Sequence, residues 1–209
     1  MQQPDNHVDS PPSRHASPVA SPTEIQRAPA HWTRRENMLR MIWLVVESTV
    51  FKYSFHNFYE FRSRILRLFG AKIPPGVRIR RTARFVAPWN LEMGTNSSIG
   101  DHATLICVGK IKIGDHVSIS QLCYIVAGSH DYTKTAMPAV AMPITIEDHT
   151  WVAADVFICG GVTVGEGCVI GARAVVSRST EPWGIYVGNP ARRKGDRRLE
   201  GVHEPSPAS

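Results

Sequence analysis

One histidine of the chain, His130, stands in a segment whose residues could support chemistry, Gly128-Ser-His-Asp-Tyr132. A neutral imidazole near pH 7 can accept the proton of a hydroxyl group and later return a proton to a leaving group. The alternative is that His130 is an idle, solvated loop residue, as a lone histidine often is. The elements that surround it therefore decide its interpretation.

A second group with chemical potential is a run of cations near the C-terminus. The chain has a formal net charge of +6, and part of it lies in this run, which contains Arg192, Arg193, Lys194, Arg197 and Arg198. Nucleic acid or anionic lipid could bind there. Because the chain is small and carries no nucleic-acid motif, a small ligand that bears phosphate is favoured. The alternative is a solvated C-terminal face.

Composition, cysteine usage and the apolar stretches are those of an ordinary folded domain. The chain is 43% hydrophobic and 20% charged, which is ordinary for one folded domain. Its four cysteines form no CxxC pair, so we expect structural thiols rather than a redox or metal site. No signal peptide is evident, and the apolar stretch 41–51 is too short for a bilayer span and contains Glu47. We expect a cytoplasmic protein.

The elements that position these residues follow from a ladder of branched aliphatic residues at strict six-residue spacing. Its members are Ile146, Val152, Ile158, Val164, Ile170 and Val176. A period of six is typical of a parallel β-helix, in which each hexad forms one wall and its aliphatic residue points inward. Shorter blocks continue the period upstream: Ile79, Phe85 and Leu91; Met93, Ile99, Leu105 and Ile111; and Ile113, Ile119 and Ile125.

Each upstream block restarts two residues out of phase with the preceding one. We expect the coil to absorb these slips at its corners, where Gly100-Asp101 and Gly114-Asp115 permit tight turns. The spacing predicts five to six turns between Ile79 and Val176. The hexads stop between Ile125 and Ile144, so the intervening loop must leave the coil, and His130 lies in it.

The remaining segments have their own signals. Thr33 and Glu36 form a capping box for a first helix. Spacings of three and four between Phe58, Phe61, Ile65 and Phe69 predict a second helix over 56–69 that Gly70 ends, with Arg62, Arg64 and Arg67 on its opposite faces. We expect the hairpin to cap the open end of the β-helix; binding to a membrane surface is the alternative. The predicted regions are a disordered tail over 1–31, a helical hairpin over 32–70, a β-helix over 71–180 with a catalytic loop over 127–143, a C-terminal extension over 181–198 and a second disordered tail over 199–209.

Several stretches resemble the hexapeptide-repeat acyltransferases, above all the colanic acid biosynthesis acetyltransferases, which are related to the maltose and nodulation-factor O-acetyltransferases. These stretches are Leu68-Phe-Gly-Ala-Lys-Ile73, Pro88-Trp-Asn-Leu91, Gly128-Ser-His-Asp-Tyr132, Pro143-Ile-Thr-Ile-Glu-Asp148 with Trp151, and Val187-Gly-Asn-Pro-Ala191. The resemblance covers about residues 40–195 and implies that the coil is left-handed. The expected fold is thus a left-handed parallel β-helix with an N-terminal α-helical hairpin and a short C-terminal extension.

The resemblance also implies a function and its residues. His130 matches the general base, and the amide of Ala154 matches the donor to the oxyanion. The positions that match contacts to coenzyme A are Ala172, Ser177, Arg178 and Arg192. The implied activity is transfer of acetyl from acetyl-CoA to a hydroxyl of a saccharide or lipid-linked saccharide in cell-surface glycan biosynthesis. The resemblance implies a homotrimer that needs no metal and binds no nucleic acid. The expected location is the cytoplasm, and contact with the inner face of the membrane is a further option.

Two features of the pattern leave questions about the acceptor and the base. Related O-acetyltransferases place a polar residue for the acceptor on the turn that here reads Cys107-Val108, and Val108 cannot donate a hydrogen bond from its side chain. The group that orients His130 is not evident. Asp131 is a candidate, although neighbouring side chains on extended backbone point to opposite faces.

Two other functions share this fold. A zinc hydratase of the γ-carbonic anhydrase type would need three histidines, and the repeat region contains His102, His116, His130 and His149. They are spread singly in the sequence, which disfavours a close pair. The other alternative is an inactive β-helix scaffold, against which stands the presence of His130 in its loop.

Overall fold

The computed structural model of the protein describes residues 32–199, and its centre is a parallel β-helix of about five turns. Three parallel sheets form the walls of the coil, and the chain passes through each sheet once per turn. The predicted tail 1–31 lies outside the described residues, and so does the tail 199–209 except for its first residue.

The strands are short and form three sheets, numbered 1 to 3, and one hairpin outside the coil. Sheet 1 contains, in spatial order, β1 (Arg78–Ile79), β4 (Ser98–Ile99), β7 (Ser118–Ile119), β12 (Trp151–Val152), β15 (Val169–Ile170), β17 (Gly184–Val187) and the antiparallel β18 (Arg192–Asp196). Sheet 2 contains β2 (Arg84–Phe85), β5 (Thr104–Ile106), β8 (Tyr124–Val126), β13 (Phe157–Ile158) and β16 (Val175–Val176). Sheet 3 contains β3 (Leu91–Met93), β6 (Ile111–Ile113), β11 (Ile144–Ile146) and β14 (Thr163–Val164). Outside the coil, β9 (Gly128–His130) pairs antiparallel with β10 (Ala139–Ala141).

The interior of the coil is the predicted column of aliphatic and aromatic side chains. Every residue of the four hexad blocks is at most 4% exposed. Stacked neighbours such as Ile99, Ile119 and Val152 occupy equivalent positions in successive turns. This arrangement confirms the period as the determinant of the fold.

The phase slips lie elsewhere than predicted. They fall inside sheet 3, where Leu91 and Met93 are both buried ends of one three-residue strand and Glu92 points outward between them. Ile111 and Ile113 repeat the arrangement in the next turn. A strand that buries its first and third residues on one face adds two residues to the turn without changing its direction. The corners at Gly100-Asp101 and Gly114-Asp115 therefore do not absorb the slips.

The cysteines line the coil as free thiols. Cys107, Cys123 and Cys168 are buried, and Cys159 is partly buried. Burial raises the pKa of the Cys107, Cys123 and Cys159 thiols above its ordinary value. These groups are therefore poor nucleophiles, in agreement with a structural role.

Two helices precede the coil. Helix α1 (Arg34–Val46) begins at the predicted capping box of Thr33 and Glu36 and continues as a π-helical turn, Glu47–Phe51. Helix α2 (Tyr59–Leu68) follows after a short connector. None of the helices within residues 32–199 has the length and apolar character needed to cross a membrane.

The hairpin caps the first turn, as predicted, and it does so with polar as well as apolar contacts. Amides of one turn donate to carbonyl groups of the following turn, for example Arg80 to Ile99. The equivalent carbonyl groups of the first turn, such as that of Ile79, point away from the second turn and have no preceding turn to supply a donor. Trp43 of α1 donates its indole N–H to the Phe85 carbonyl, and Glu47 accepts from the Phe85 amide at 2.7 Å. Burial raises the pKa of the Glu47 carboxyl.

Arg62 corrects the predicted orientation of α2. The spacing predicted an apolar face that includes Phe58 and Phe61, with Arg62 on the opposite, solvated side. Instead Arg62 is fully buried and donates to the Ile79 carbonyl at 2.7 Å, whereas Phe58 and Phe61 are 50% and 41% exposed. The physical reason is the open edge of the coil, whose unpaired carbonyl oxygen needs a donor that no phenylalanine supplies.

Candidate active site

His130 projects from a two-stranded hairpin that leaves the coil after β8. It is the last residue of β9, directly opposite Ala139 of β10, and its side chain is exposed. The loop that carries it is therefore not irregular, because backbone pairing on a rigid coil fixes its base. The imidazole is held in place but remains accessible to ligands.

The imidazole is oriented by a backbone carbonyl. His130 Nδ1 lies 2.7 Å from the carbonyl oxygen of Met137. Since a carbonyl oxygen only accepts, Nδ1 must carry the hydrogen, and in the neutral ring Nε2 then has a free lone pair. Met137 adopts a left-handed φ of 39°, and its amide donates to the Lys134 carbonyl at 2.9 Å. The turn thereby aims its carbonyl at the ring.

Asp131 is wrong as the orienting group. Its carboxylate accepts from the Thr133 amide at 3.1 Å and from the Thr133 hydroxyl at 2.5 Å, and it pairs with Lys134 at 3.2 Å. These contacts hold the pKa of the Asp131 carboxyl below its ordinary value. Asp131 thus orders the turn that presents the Met137 carbonyl, and acts on the imidazole only through it.

The base of the loop depends on close backbone approaches that the sequence did not disclose. The Met142 amide donates to the Ala127 carbonyl at 3.1 Å, which closes the loop, and the Gly161 amide donates to Met142 at 3.3 Å. A Cβ atom on Gly160 would lie 2.6 Å from the Cβ of Met142. Real Cβ atoms do not approach so closely, so Gly160 is required for the returning strand to lie against the coil.

We expect Gly160→Ala to lower kcat about tenfold or more, because the added methyl group displaces Met142 and with it the hairpin that holds His130. The matched control is Gly195→Ala, where an added Cβ has nothing within 4 Å. Steady-state kinetics and thermal melts of both variants check the expectation. Wild-type kcat in folded Gly160→Ala would show that the loop tolerates the displacement.

Ala154 follows β12 at a corner of the coil. Its carbonyl accepts from the Arg173 amide at 3.0 Å, which ties it to the next turn, whereas its own amide donates to no acceptor within residues 32–199. The residue is partly buried, so the coil fixes the position of the amide, and its N–H remains available to a ligand. This is what an oxyanion donor requires, and its assignment stays a prediction.

The turn at Cys107-Val108 is organised by a polar residue that sequence reasoning missed. Asn90 donates its side-chain amide to the carbonyl of Cys107 at 2.9 Å and of Val108 at 3.2 Å. Val108 itself packs against Gly128, where a Cβ would lie 3.0 Å from the Cβ of Val108. The apolar Val108 therefore supports the strand that ends in His130.

The positions predicted for coenzyme A lie on the last turns of the coil. Ala172 follows β15, and Ser177 and Arg178 follow β16; all three are exposed. Arg192 begins β18 just after the cis peptide bond Asn189-Pro190, and the Ala191 amide donates to Val175 at 2.8 Å, which brings this turn beside β16. Their roles remain predictions.

The cations near the C-terminus differ in availability. Arg193 pairs with Asp196 and lies 3.7 Å from Glu181, and Arg197 donates to the carbonyl groups of His149 and Gly167. Arg192 forms no ion pair with any residue that the structure describes; its guanidinium reaches only the carbonyl of its neighbour Ala191 at 3.3 Å. Arg192, Lys194 and Arg198 are all exposed and form no ion pair within residues 32–199, so a phosphate can approach each of them.

The histidines of the repeat are not all single, contrary to the prediction. His116 and His149 occupy equivalent corners of successive turns and stack with ring centroids 5.1 Å apart. Both residues have a left-handed φ, near 55° and 59°. No group of three His, Cys, Asp or Glu side chains among residues 32–199 converges in a way that could hold a metal ion.

Comparison with known proteins defines first the class and then the family. The family described as Bacterial transferase hexapeptide (six repeats) matches residues 143–178. Among solved structures, a maltose O-acetyltransferase from Clostridium difficile 630 superposes with a TM-score of 0.72 and 25% identity over 80% of this chain and 90% of that one. The hexapeptide-repeat containing acetyltransferase VCA0836 from Vibrio cholerae, complexed with acetyl coenzyme A, gives 0.72 and 23% over 80% and 91%. The fold is thus the left-handed parallel β-helix of hexapeptide transferases.

Sequence identity gives the narrower assignment. The chain is 41% identical over 150 residues to the colanic acid biosynthesis acetyltransferase WcaF of Escherichia coli (strain K12), which covers 72% of this chain and 82% of that protein. It therefore belongs to the hexapeptide-repeat acetyltransferases, in the family of this relative.

Proposed function

We propose that the protein is an O-acetyltransferase that moves acetyl from acetyl-CoA to a hydroxyl of a saccharide or lipid-linked saccharide in cell-surface glycan biosynthesis. The observation that carries this proposal is the fixed tautomer of His130, whose Nε2 is free to accept a proton. The acetyl-CoA complex of a protein with the same fold and the name of the 41% identical relative support the donor and the pathway class.

The proposed reaction needs one base and one amide. His130 Nε2 takes the proton of the acceptor hydroxyl as its oxygen attacks the thioester carbonyl carbon. The amide of Ala154 donates to the oxyanion of the tetrahedral intermediate. When the C–S bond breaks, the imidazolium returns the proton to the thiolate, so coenzyme A leaves as the thiol and His130 is neutral again. The carbonyl of Met137 stabilises the imidazolium between the two transfers.

We assign coenzyme A to the last turns of the coil, along Ala172, Ser177 and Arg178, with Arg192 at a phosphate. A guanidinium without an internal carboxylate partner suits this task. Arg192→Ala should raise KM for acetyl-CoA about tenfold or more with little change in kcat. Arg193→Ala, whose guanidinium already pairs with Glu181 and Asp196, is the control and should change KM far less. Equal effects in both variants would contradict the Arg192 assignment.

A homotrimer is part of the proposal. The outer surface of sheet 3 is charged, with Glu92 between Lys72 and Lys110, whereas sheet 2 presents the stacked rings of Tyr124 and Phe157, 47% and 38% exposed. Apolar surface on one wall of an elongated coil suits a head-to-tail ring, in which different faces of neighbours meet. The four free thiols agree with a cytoplasmic location.

Calorimetric titration of the purified protein with coenzyme A, together with metal analysis of the same sample, tests the proposal. We expect saturable binding with a stoichiometry near one per subunit and no stoichiometric zinc. Light scattering of the same sample gives the subunit number. Absence of coenzyme A binding would contradict the acetyl-CoA assignment, and stoichiometric zinc would favour the hydratase.

A further inference from the structure

The surface of the hairpin that faces away from the coil carries a row of exposed aromatic side chains. Tyr53, Phe55, Phe58 and Phe61, named here the aromatic strip, are 74%, 75%, 50% and 41% exposed. The rings of Phe55 and Phe58 are 5.3 Å apart, and those of Phe58 and Phe61 are 6.2 Å apart, so these three rings form a continuous row. A continuous exposed row of this kind marks an interaction surface, since single exposed apolar residues are ordinary but contiguous ones are not.

The strip is built into the fold. The buried guanidinium of Arg62 donates to the Ser54 hydroxyl at 2.9 Å and to the carbonyl groups of Phe55 at 2.8 Å and His56 at 2.7 Å, while its Nε is bound to the Ile79 carbonyl. The connector between the helices is thus tied to the first turn of the coil by its backbone. Phe55 consequently points outward in a fixed position and cannot collapse into the core.

The same end of the molecule carries the positive charge of the chain. Residues 34–84 contain 12 Lys and Arg against three Asp and Glu, a formal charge of +9, whereas the whole chain has +6, so the rest is net negative. Lys52 lies over the Tyr53 ring at 5.9 Å. Arg64, three residues after Phe61, is 73% exposed and lies 3.2 Å from Glu60. Two such ends repel each other, which disfavours a second copy of the chain as the partner, and an anionic surface complements them.

We propose that the aromatic strip docks on an anionic lipid bilayer. Aromatic rings insert at the depth of the lipid headgroups, and the flanking cations bind lipid phosphates. The role of this docking rests on the proposed function, since docking would bring a lipid-linked acceptor to the acetyltransferase. In the proposed trimer a closed ring places all three N-terminal ends on one side, so three strips meet one membrane plane and reinforce one another.

Vesicle flotation with the full-length chain tests the proposal. Wild-type protein should float with vesicles of phosphatidylcholine that contain a quarter phosphatidylglycerol, should float far less with pure phosphatidylcholine, and should be released by salt. The double variant Phe55→Ser, Phe58→Ser should lower the partition coefficient about tenfold or more. Arg64→Glu should lower it about fivefold or more. The matched controls, Leu122→Asn and Lys112→Glu, change an exposed apolar residue and an exposed cation elsewhere on the coil and should float as wild type does.

Two results would overturn the proposal. One is a wild-type protein that does not bind the anionic vesicles, or binds them no better than the double variant does. The other is a double variant whose mass in light scattering falls, because the strip would then be a contact between subunits. Coenzyme A titration separates this proposal from the proposed function: retained coenzyme A binding without flotation removes only the docking surface, and flotation without coenzyme A binding removes only the acetyltransferase assignment.

Discussion

Replacing His130 by alanine should lower kcat about 10²-fold or more while the Kd for coenzyme A stays close to that of the wild type. The imidazole is exposed at the end of β9, and within residues 32–199 its ring forms no hydrogen bond except that with the Met137 carbonyl. Its removal therefore takes away the proposed proton acceptor without disturbing the coil. Initial rates of thiol release, with calorimetry for coenzyme A, measure the two quantities.

The control for His130→Ala is a histidine outside the loop. His149→Asn keeps a residue that tolerates the left-handed φ of 59° at this corner, and it should retain wild-type kcat. A His130→Ala protein with unchanged turnover would remove His130 from the mechanism. A comparable loss in His149→Asn would instead direct attention to the stacked pair with His116 and so to the zinc hydratase.

The fold could be predicted because its determinant is periodic and local. Each hexad residue faces inward whatever its neighbours do, so Ile146 to Val176 were sufficient to indicate the coil. The placement of the phase slips could not be predicted, since both a corner and a three-residue strand such as Leu91–Met93 can hold two extra residues. Only the alignment of successive turns in sheet 3 distinguishes the two.

The candidate site could be predicted where it depends on side chains but not where it depends on the backbone. His130 is recognisable by residue type and by its place in a break of the repeat. The Met137 carbonyl that orients it has no signature in the sequence, because every residue has a carbonyl group and only the turn selects one. Gly160 and Asn90 could not be identified from the sequence for a related reason, because their roles arise from contacts between turns that are distant in sequence.

The predicted orientation of α2 is wrong, although periodicity usually identifies the buried face of a helix correctly. Charged residues are rarely buried, so the periodicity predicts Arg62 on the solvated side of α2. The first turn of the coil reverses this preference because its Ile79 carbonyl has no donor from a preceding turn. A buried cation surrounded by carbonyl oxygens is favourable where an apolar side chain would leave those oxygens unpaired.

Arg62→Met should therefore lower the free energy of unfolding by about 3 kcal/mol or more, since it leaves several carbonyl oxygens without a donor. The affected acceptors are the carbonyl groups of Ile79, Phe55 and His56 and the hydroxyl of Ser54. For a domain of this size the expected decrease in Tm is about 6–12 °C. Urea titration and thermal melts followed by circular dichroism measure both quantities.

The neighbouring Arg64 makes this prediction specific. Its side chain is 73% exposed and pairs with Glu60 at 3.2 Å on the surface of the same helix. Arg64→Met removes the same charge and adds the same side chain, yet it should change the free energy of unfolding by no more than about 0.5 kcal/mol. The free energy of unfolding of Arg62→Lys should lie between those of the two methionine variants, because a single ammonium nitrogen reaches fewer of the four acceptors than the planar guanidinium does. Equal stabilities of Arg62→Met and Arg64→Met would mean that the open edge of the coil does not need the guanidinium, and that packing of Trp43 and Phe51 alone holds the hairpin on the first turn.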